Sequence, residues 1–204
     1  SLVMIASCNQ PIEEIPQEQE QDSIIEKVSS DLKSWSEYID KGSNKANSGD
    51  YYGAIADFNK AIELSPNSYD GYFNRGWCKR KLEDYYGAIA DYSKSIELMP
   101  YPGRAYNEIA WTKIELKDYY GAIADANTAL EKEEEEKDIL PKQNVLTKSI
   151  RIKALAKSEL KDYYGAIADY TRSIELDPES SEQFYNRALC KNSLGDYKGA
   201  IADY

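Results

Sequence analysis

Apolar residues recur along the chain at helical spacing, and the same pattern returns several times. Ile55, Ile62 and Leu64 fall on one face of a predicted helix, because positions separated by whole helical turns share a face. The same residue types return 34 residues later as Ile89 and Ile96. The pattern therefore predicts a series of amphipathic helices, each of which buries one face against its neighbours.

One octapeptide marks each period of this pattern. Asp-Tyr-Tyr-Gly-Ala-Ile-Ala-Asp occurs four times without change, and a fifth copy differs only at Lys198. Each leading Asp follows a short turn and is a good helix N-cap. The Gly in the first helical turn costs up to about 1 kcal/mol relative to Ala, and the pattern gives no reason for it. The copies begin, at spacings of 34, 34, 44 and 34 residues, at Asp50, Asp84, Asp118, Asp162 and Asp196.

Each unit also carries small residues at two fixed positions, where two helices would pack closely. In the first helix they are Gly42, Gly76, Ala110, Ala154 and Ala188. In the second helix they are Ala54, Ala88, Ala122, Ala166 and Ala200. Pro closes three of the units and stops the second helix. With the 34-residue period, these features resemble the tetratricopeptide repeat family.

This resemblance implies an all-α fold, a right-handed superhelical solenoid of helix–turn–helix repeats. We place the repeat domain at 23–204, with repeats at about 35–68, 69–102, 103–136, 147–180 and 181–204. The last repeat is truncated and no polar capping helix follows it, although solenoids usually end in one. We expect a longer array, or self-association through the open C-terminal edge.

The third unit departs from the pattern. Ala126 replaces an aromatic residue, Glu134 stands where the closing Pro is expected, and an acidic insert occupies 131–146. We interpret the insert as a solvated extension of the second helix. A weak calcium site is the alternative, but the ligand pattern of an EF-hand loop is absent. Pro141 is expected to precede a lengthened first helix, and the solenoid is expected to bend or open at this joint.

Composition excludes several functions. The chain has no His and a formal net charge of -11, with 36 acidic and 25 basic residues. Without His there is no His-based catalytic pair or metal site, and an acidic chain does not suit nucleic acid. We predict no enzyme activity, no catalytic residue, no cofactor and no metal. Cys78 and Cys190 are expected to be small core residues.

The N-terminal residues resemble the end of a bacterial lipoprotein signal peptide. Residues 1–8 form an apolar stretch that ends in Ile5-Ala6-Ser7-Cys8, so Cys8 is the predicted lipidation site. Residues 9–22 are rich in Pro, Gln and acids, which is typical of a disordered tether. Ser23 then begins a capping box and a leading helix. We expect a lipid-anchored protein of the bacterial cell envelope; the alternative is a cytoplasmic protein.

First helices line the concave face of tetratricopeptide arrays, and the resemblance therefore implies a peptide-binding groove. The residues carried over to this groove are Phe73, Trp77, Arg80, Arg104, Asn107, Trp111, Lys148, Arg151, Leu155, Tyr185 and Leu189. This set contains no acidic residue, so the predicted ligand is an acidic and apolar peptide or protein. The alternative for the two Trp residues is packing between repeats. One subfamily binds the C-terminal carboxylate of a partner with a set of basic residues and Asn. Asn74 and Arg104 match two positions of that set but Glu108 does not match, so we do not predict this activity.

The resulting function is a non-catalytic protein–protein interaction scaffold. The alternative is an envelope assembly factor of the kind that supports pilus or outer-membrane biogenesis, acting through self-association or complex assembly. That alternative depends on architecture alone.

Overall fold

Ten α-helices follow one another in the computed structural model, which describes residues 17–135 and 143–204. No strand occurs among these residues, as the all-α prediction requires. The helices are α1 (Gln17–Asn47), α2 (Tyr51–Leu64), α3 (Tyr69–Lys81), α4 (Tyr85–Leu98), α5 (Gly103–Glu115), α6 (Tyr119–Glu135), α7 (Gln143–Glu159), α8 (Tyr163–Leu176), α9 (Ser181–Ser193) and α10 (Tyr197–Asp203).

The helices pack in successive pairs, which confirms the solenoid. We call the odd-numbered helices first helices and the even-numbered ones second helices. Each first helix contacts the second helix of its own unit and the first helix of the next unit. Within the described ranges, no second helix contacts another second helix. The first helices therefore lie on the inner side of the array.

The core is continuous from one unit to the next. One cluster joins Ala46 of α1 and Phe58 of α2 with Cys78 of α3. A later one joins Ala154 of α7 and Tyr170 of α8 with Cys190 of α9 in the same way. Each cluster thus contains both helices of a unit and the first helix of the following one. Both cysteines are buried, as predicted.

The octapeptide glycines are explained by the caps that precede them. In every unit the leading Asp accepts a hydrogen bond from the Gly amide three residues later, at 2.9–3.0 Å. A Cβ on any of these glycines would lie only 2.1–2.2 Å from the other carboxylate oxygen. Gly therefore lets the carboxylate lie flat against the first turn of each second helix.

A Lys–Asp ion pair connects the two helices of every unit. The Lys of the first helix lies 2.6–2.8 Å from the last Asp of the octapeptide, always twelve residues later. In the second and fifth units an Arg joins the pair through two further hydrogen bonds, from Arg75 to Asp91 and from Arg187 to Asp203. Burial would raise the pKa of Asp203, but the bonds from Arg187 and Lys191 outweigh it and lower this pKa.

The joint between the third and fourth units is closed rather than open. Helices α6 and α7 have 17 residues each, which makes α6 longer than the other second helices and α7 longer than the first helices α3, α5 and α9. The prediction that both helices are lengthened here is confirmed. The buried Asn107 amide of α5 donates to the Val145 carbonyl of α7 at 3.0 Å. Ser149 donates to Asn107 at 2.8 Å. The expected opening is therefore wrong, because the extra turn of α7 packs on α5. The middle of the acidic insert, 136–142, lies outside the described residues.

The N-terminal predictions fall mostly outside the described residues. Cys8 and the rest of 1–16 are among those left out. Helix α1 begins at Gln17, so residues 17–22 are helical and not a disordered tether, and Ser23 does not begin the helix. Strong helix formers such as Gln and Glu at 17–22 favour this earlier start. None of the described helices has both the length and the apolar content to cross a bilayer.

Candidate groove of the first helices

The inner surface of the first helices, here called the groove, contains two clefts that meet at Arg104. The smaller one has a volume of about 170 Å³ and is called the apolar pocket after Ala46, Phe58, Phe73 and Trp77 on its wall; its other lining residues are polar, namely Ser43, Asn47, Asn74 and Arg104. The large cleft has a volume of about 910 Å³ and lies among the N-terminal turns of α3, α5 and α7. Arg104 lines both of them.

The aromatic residues predicted for the groove pack between helices and also line the apolar pocket. Phe73 is buried and its ring lies 5.5 Å from that of Tyr92. Trp77 is half-buried, and its ring meets that of Tyr51 edge-on at 5.8 Å. Trp77 therefore packs between the first two units, as the alternative interpretation has it, and also forms one wall of the pocket. Side chains of the core thus form part of the pocket wall.

Arg104 is an exposed cation in the groove. Its guanidinium lies 4.4 Å from the centre of the Phe73 ring, a cation–π contact that orients the side chain. Among the described residues, no carboxylate forms a salt bridge with it. Arg104 can therefore accept a carboxylate from a ligand without breaking an internal ion pair.

The expectation of a groove without acidic residues is wrong. Glu108 is buried, and its carboxylate lies 2.5 Å from the amine of Lys148 and 3.8 Å from Arg80. Glu108 therefore neutralises Lys148 and offsets part of the charge of the more distant Arg80. Glu108 occupies in the third unit the repeat position that Asn74 occupies in the second, one period earlier. The 34-residue spacing from Asn74 therefore places Glu108 in the groove from the sequence alone.

Two more predicted groove residues have internal partners. Asn107 borders the large cleft, but its side chain is buried and bonded to α7, so it stabilises the joint. Arg151 lies 3.6 Å from Glu182 and 5.8 Å from the Trp111 ring centre. Trp111 is half-buried against the core of the third unit. Of these residues, only Asn107 lies on the large cleft with Arg104; Arg151 and Trp111 line neither cleft.

The remaining predicted residues lie farther along the array. Leu155 is half-buried on α7. Tyr185 and Leu189 are exposed on α9, and the Tyr185 ring lies 5.9 Å from that of Tyr204. They do not contribute to the two clefts that meet at Arg104.

Asp70 is a groove residue that the sequence analysis missed. It lies half-buried in the first turn of α3, where it borders the large cleft. Burial raises the pKa of its carboxyl group, an effect that the charge of Arg104 opposes. Asp70 lies one 34-residue period before Arg104, so the repeat register alone already places it in the groove.

No group of His, Cys, Asp and Glu side chains that could hold a metal occurs in the described part of the chain.

The fold is shared with several solved structures. The chain is similar to PilF of Pseudomonas aeruginosa, at 18% identity over 86% of this chain and 75% of that one, with a TM-score of 0.74. MamA of Desulfovibrio magneticus RS-1 is 15% identical over 83% of this chain and 90% of that one, with a TM-score of 0.70. At these identities the similarity shows the fold alone.

A third structure contains a bound partner. The TPR2B domain of yeast Sti1, solved in complex with pHsp70, is 25% identical over 62% of this chain and 98% of that domain, with a TM-score of 0.55. No curated protein matches the sequence significantly.

Family profiles agree with the helix pairing. Profiles described as tetratricopeptide repeat match residues 38–68, 58–90 and 152–180. These matches fall on described helices of the solenoid and on copies of the octapeptide. The chain therefore belongs to the tetratricopeptide repeat family.

Proposed function

We propose that the chain is a non-catalytic interaction scaffold that binds a peptide or protein segment in the groove at Arg104. The observation that carries the proposal is the exposed Arg104 at the rim of a preformed pocket whose wall combines aromatic side chains with Ser43, Asn47 and Asn74. Aromatic and Arg side chains provide much of the binding energy at protein interfaces, and Arg suits carboxylates. The ligand accordingly combines an apolar side chain with an acidic one.

The related folds support this assignment without fixing the partner. The Sti1 domain, with the same fold, is in complex with pHsp70. Members of this family are generally interaction scaffolds rather than enzymes. The acidic and apolar character of the ligand depends on the two clefts of this chain. An envelope assembly role, which depends on architecture alone, and a lipid anchor at Cys8, which depends on the N-terminal sequence, remain proposals.

Peptide selection tests the groove directly. A phage-displayed library of random dodecapeptides is selected on the purified chain, and the affinities of selected peptides are measured by calorimetry. We expect peptides that carry an apolar residue near Asp or Glu. Arg104→Glu should weaken their binding about tenfold or more, since it replaces an attraction with a repulsion.

A matched variant keeps this test specific. Arg172→Glu makes the same charge change at an exposed position on the second helix α8, and it should leave affinity unchanged. Trp77→Ala should weaken binding through the apolar pocket. Equal affinity of the Arg104→Glu variant and the unmodified chain would refute the groove as the binding site.

A further inference from the structure

The first helices of the second to fifth units carry a charged residue at one repeat position, where the first unit has Ser36. The row runs Asp70, Arg104, Lys148 and Glu182 along the groove, at spacings of 34, 44 and 34 residues, the longer of which includes the ten-residue insertion. Equivalent positions of a solenoid lie side by side on neighbouring units. The row therefore presents the order negative, positive, positive, negative to a ligand that lies along the groove.

The two C-terminal members of this row, Lys148 and Glu182, each form an ion pair within the chain. Lys148 pairs with Glu108 at 2.5 Å, and Glu182 pairs with Arg151 at 3.6 Å. Asp70 and Arg104 form no salt bridge with any residue in the described ranges, although each affects the other through its charge. Both line the large cleft. The cleft thus holds one carboxylate and one guanidinium that remain available on adjacent units.

The partial burial of Asp70 favours the binding of a cationic ligand next to it. Its carboxylate is half-buried, and a partly desolvated charge without a partner is unfavourable. Burial raises the pKa of this group, and the charge of Arg104 offsets this rise only in part. A basic side chain in the cleft would supply that compensation.

We propose that the large cleft is a subsite for a peptide bearing one basic and one acidic side chain, with Asp70 binding the base and Arg104 the acid. Packed helices lie about 8–10 Å apart, and an extended chain advances about 3.3 Å per residue. The two ligand charges are therefore separated by about two intervening residues. This subsite rests on the proposed groove function and gives it a charge pattern, so that purely acidic ligands bind less well.

A spaced-charge peptide array tests the subsite. The probe is a set of immobilised decapeptides that contain Leu, one Lys and one Asp, in both orders, with zero to five residues between the charges. Matched peptides replace Lys or Asp by Ser. The unmodified chain should retain peptides with about two intervening residues best, in one order, and replacing Lys should reduce retention about five- to tenfold.

Substitutions assign the two contacts. Asp70→Asn, of nearly equal size, should abolish the dependence on Lys but keep that on Asp, and Arg104→Gln should do the opposite. The double variant Asp70→Arg with Arg104→Asp should prefer the reverse order. Glu175→Gln on α8 removes an exposed charge and should change nothing. Circular dichroism verifies that each variant is folded.

The outcomes separate the two proposals. Retention that depends on Asp but not on Lys, or an Asp70→Asn variant that still depends on Lys, overturns the subsite and leaves the groove function standing. Failure of the unmodified chain to retain any peptide overturns both. Reversal of the preferred order by the double variant establishes the subsite.

Discussion

The Lys–Asp connection inside each unit should differ in energy between units, because its surroundings differ. In the second unit, Asp91 is nearly buried and binds both Arg75 and Lys79 at 2.6–2.8 Å. In the third unit, Asp125 binds Lys113 at 2.6 Å. Each Asp→Ala substitution removes one carboxylate. Asp91→Ala leaves two cations without this partner, whereas Asp125→Ala leaves one.

The expected costs follow from exposure. Removing one partner of a buried ion pair costs about 3–5 kcal/mol, because the other charge stays buried and unpaired. The side chains of Arg75 and Lys79 keep 20% and 24% of their surface exposed. Water can therefore solvate the two unpaired cations in part, which lowers this cost. We expect Asp91→Ala to lower the free energy of unfolding by about 2–3 kcal/mol. For Asp125→Ala we expect about 1 kcal/mol, because this Asp is 19% exposed, against 7% for Asp91, and leaves one lysine behind, not two cations.

Urea unfolding followed by circular dichroism at 222 nm measures the difference. Both variants lose the same atoms from equivalent positions, so their comparison cancels the common loss of packing. Glu97→Ala removes an exposed pair with Lys94 on the same second helix and should shift the midpoint very little. Equal destabilisation by Asp91→Ala and Asp125→Ala would show that the Arg contributes nothing and would refute this reasoning.

Two further predictions concern the caps and the cysteines. Gly121→Ala should be nearly neutral alone but stabilising by about 0.5–1 kcal/mol when Asp118 is already Ala, because the added Cβ then displaces no cap; a urea double-mutant cycle in which the two effects simply add would contradict this. In a Cys8→Ser background, Cys78 and Cys190 should react slowly with a maleimide at pH 8 in the folded chain and quickly in 8 M urea, since both are buried and burial raises the Cys78 pKa to about 11. Fast labelling of the folded chain would show that these units open readily.

Repetition made most of the fold predictable. The role inferred for a residue in one unit, such as Ala54 or Asp50, applies to its counterparts in the other units because the units share one packing geometry. The ion pairs were missed although Lys45 and Asp57, and their counterparts, keep a constant separation of twelve residues. Only the structure shows that this separation brings two helices together through those side chains.

The groove was less predictable because its charges are set by contacts between units. The residue list itself gives no sign that Glu108 pairs with Lys148 and Arg80, since the three lie on different helices. Asn107 has a polar side chain typical of a binding surface, but it has partners on α7, namely Val145 in the insert and Ser149 just after it. Irregular units thus change the role of a residue whose position in the repeat is unchanged.

The closed joint between the third and fourth units has a consequence for how the array unfolds. In a linear array, the strength of coupling between neighbours decides how many units open together. Here the third and fourth units are tied by two buried bonds of Asn107, whereas the described hydrogen bond between α7 and α9 is a weak thiol–hydroxyl contact from Cys190 to Ser158. We therefore expect the third and fourth units to unfold together as one cooperative block, with the units on either side opening first.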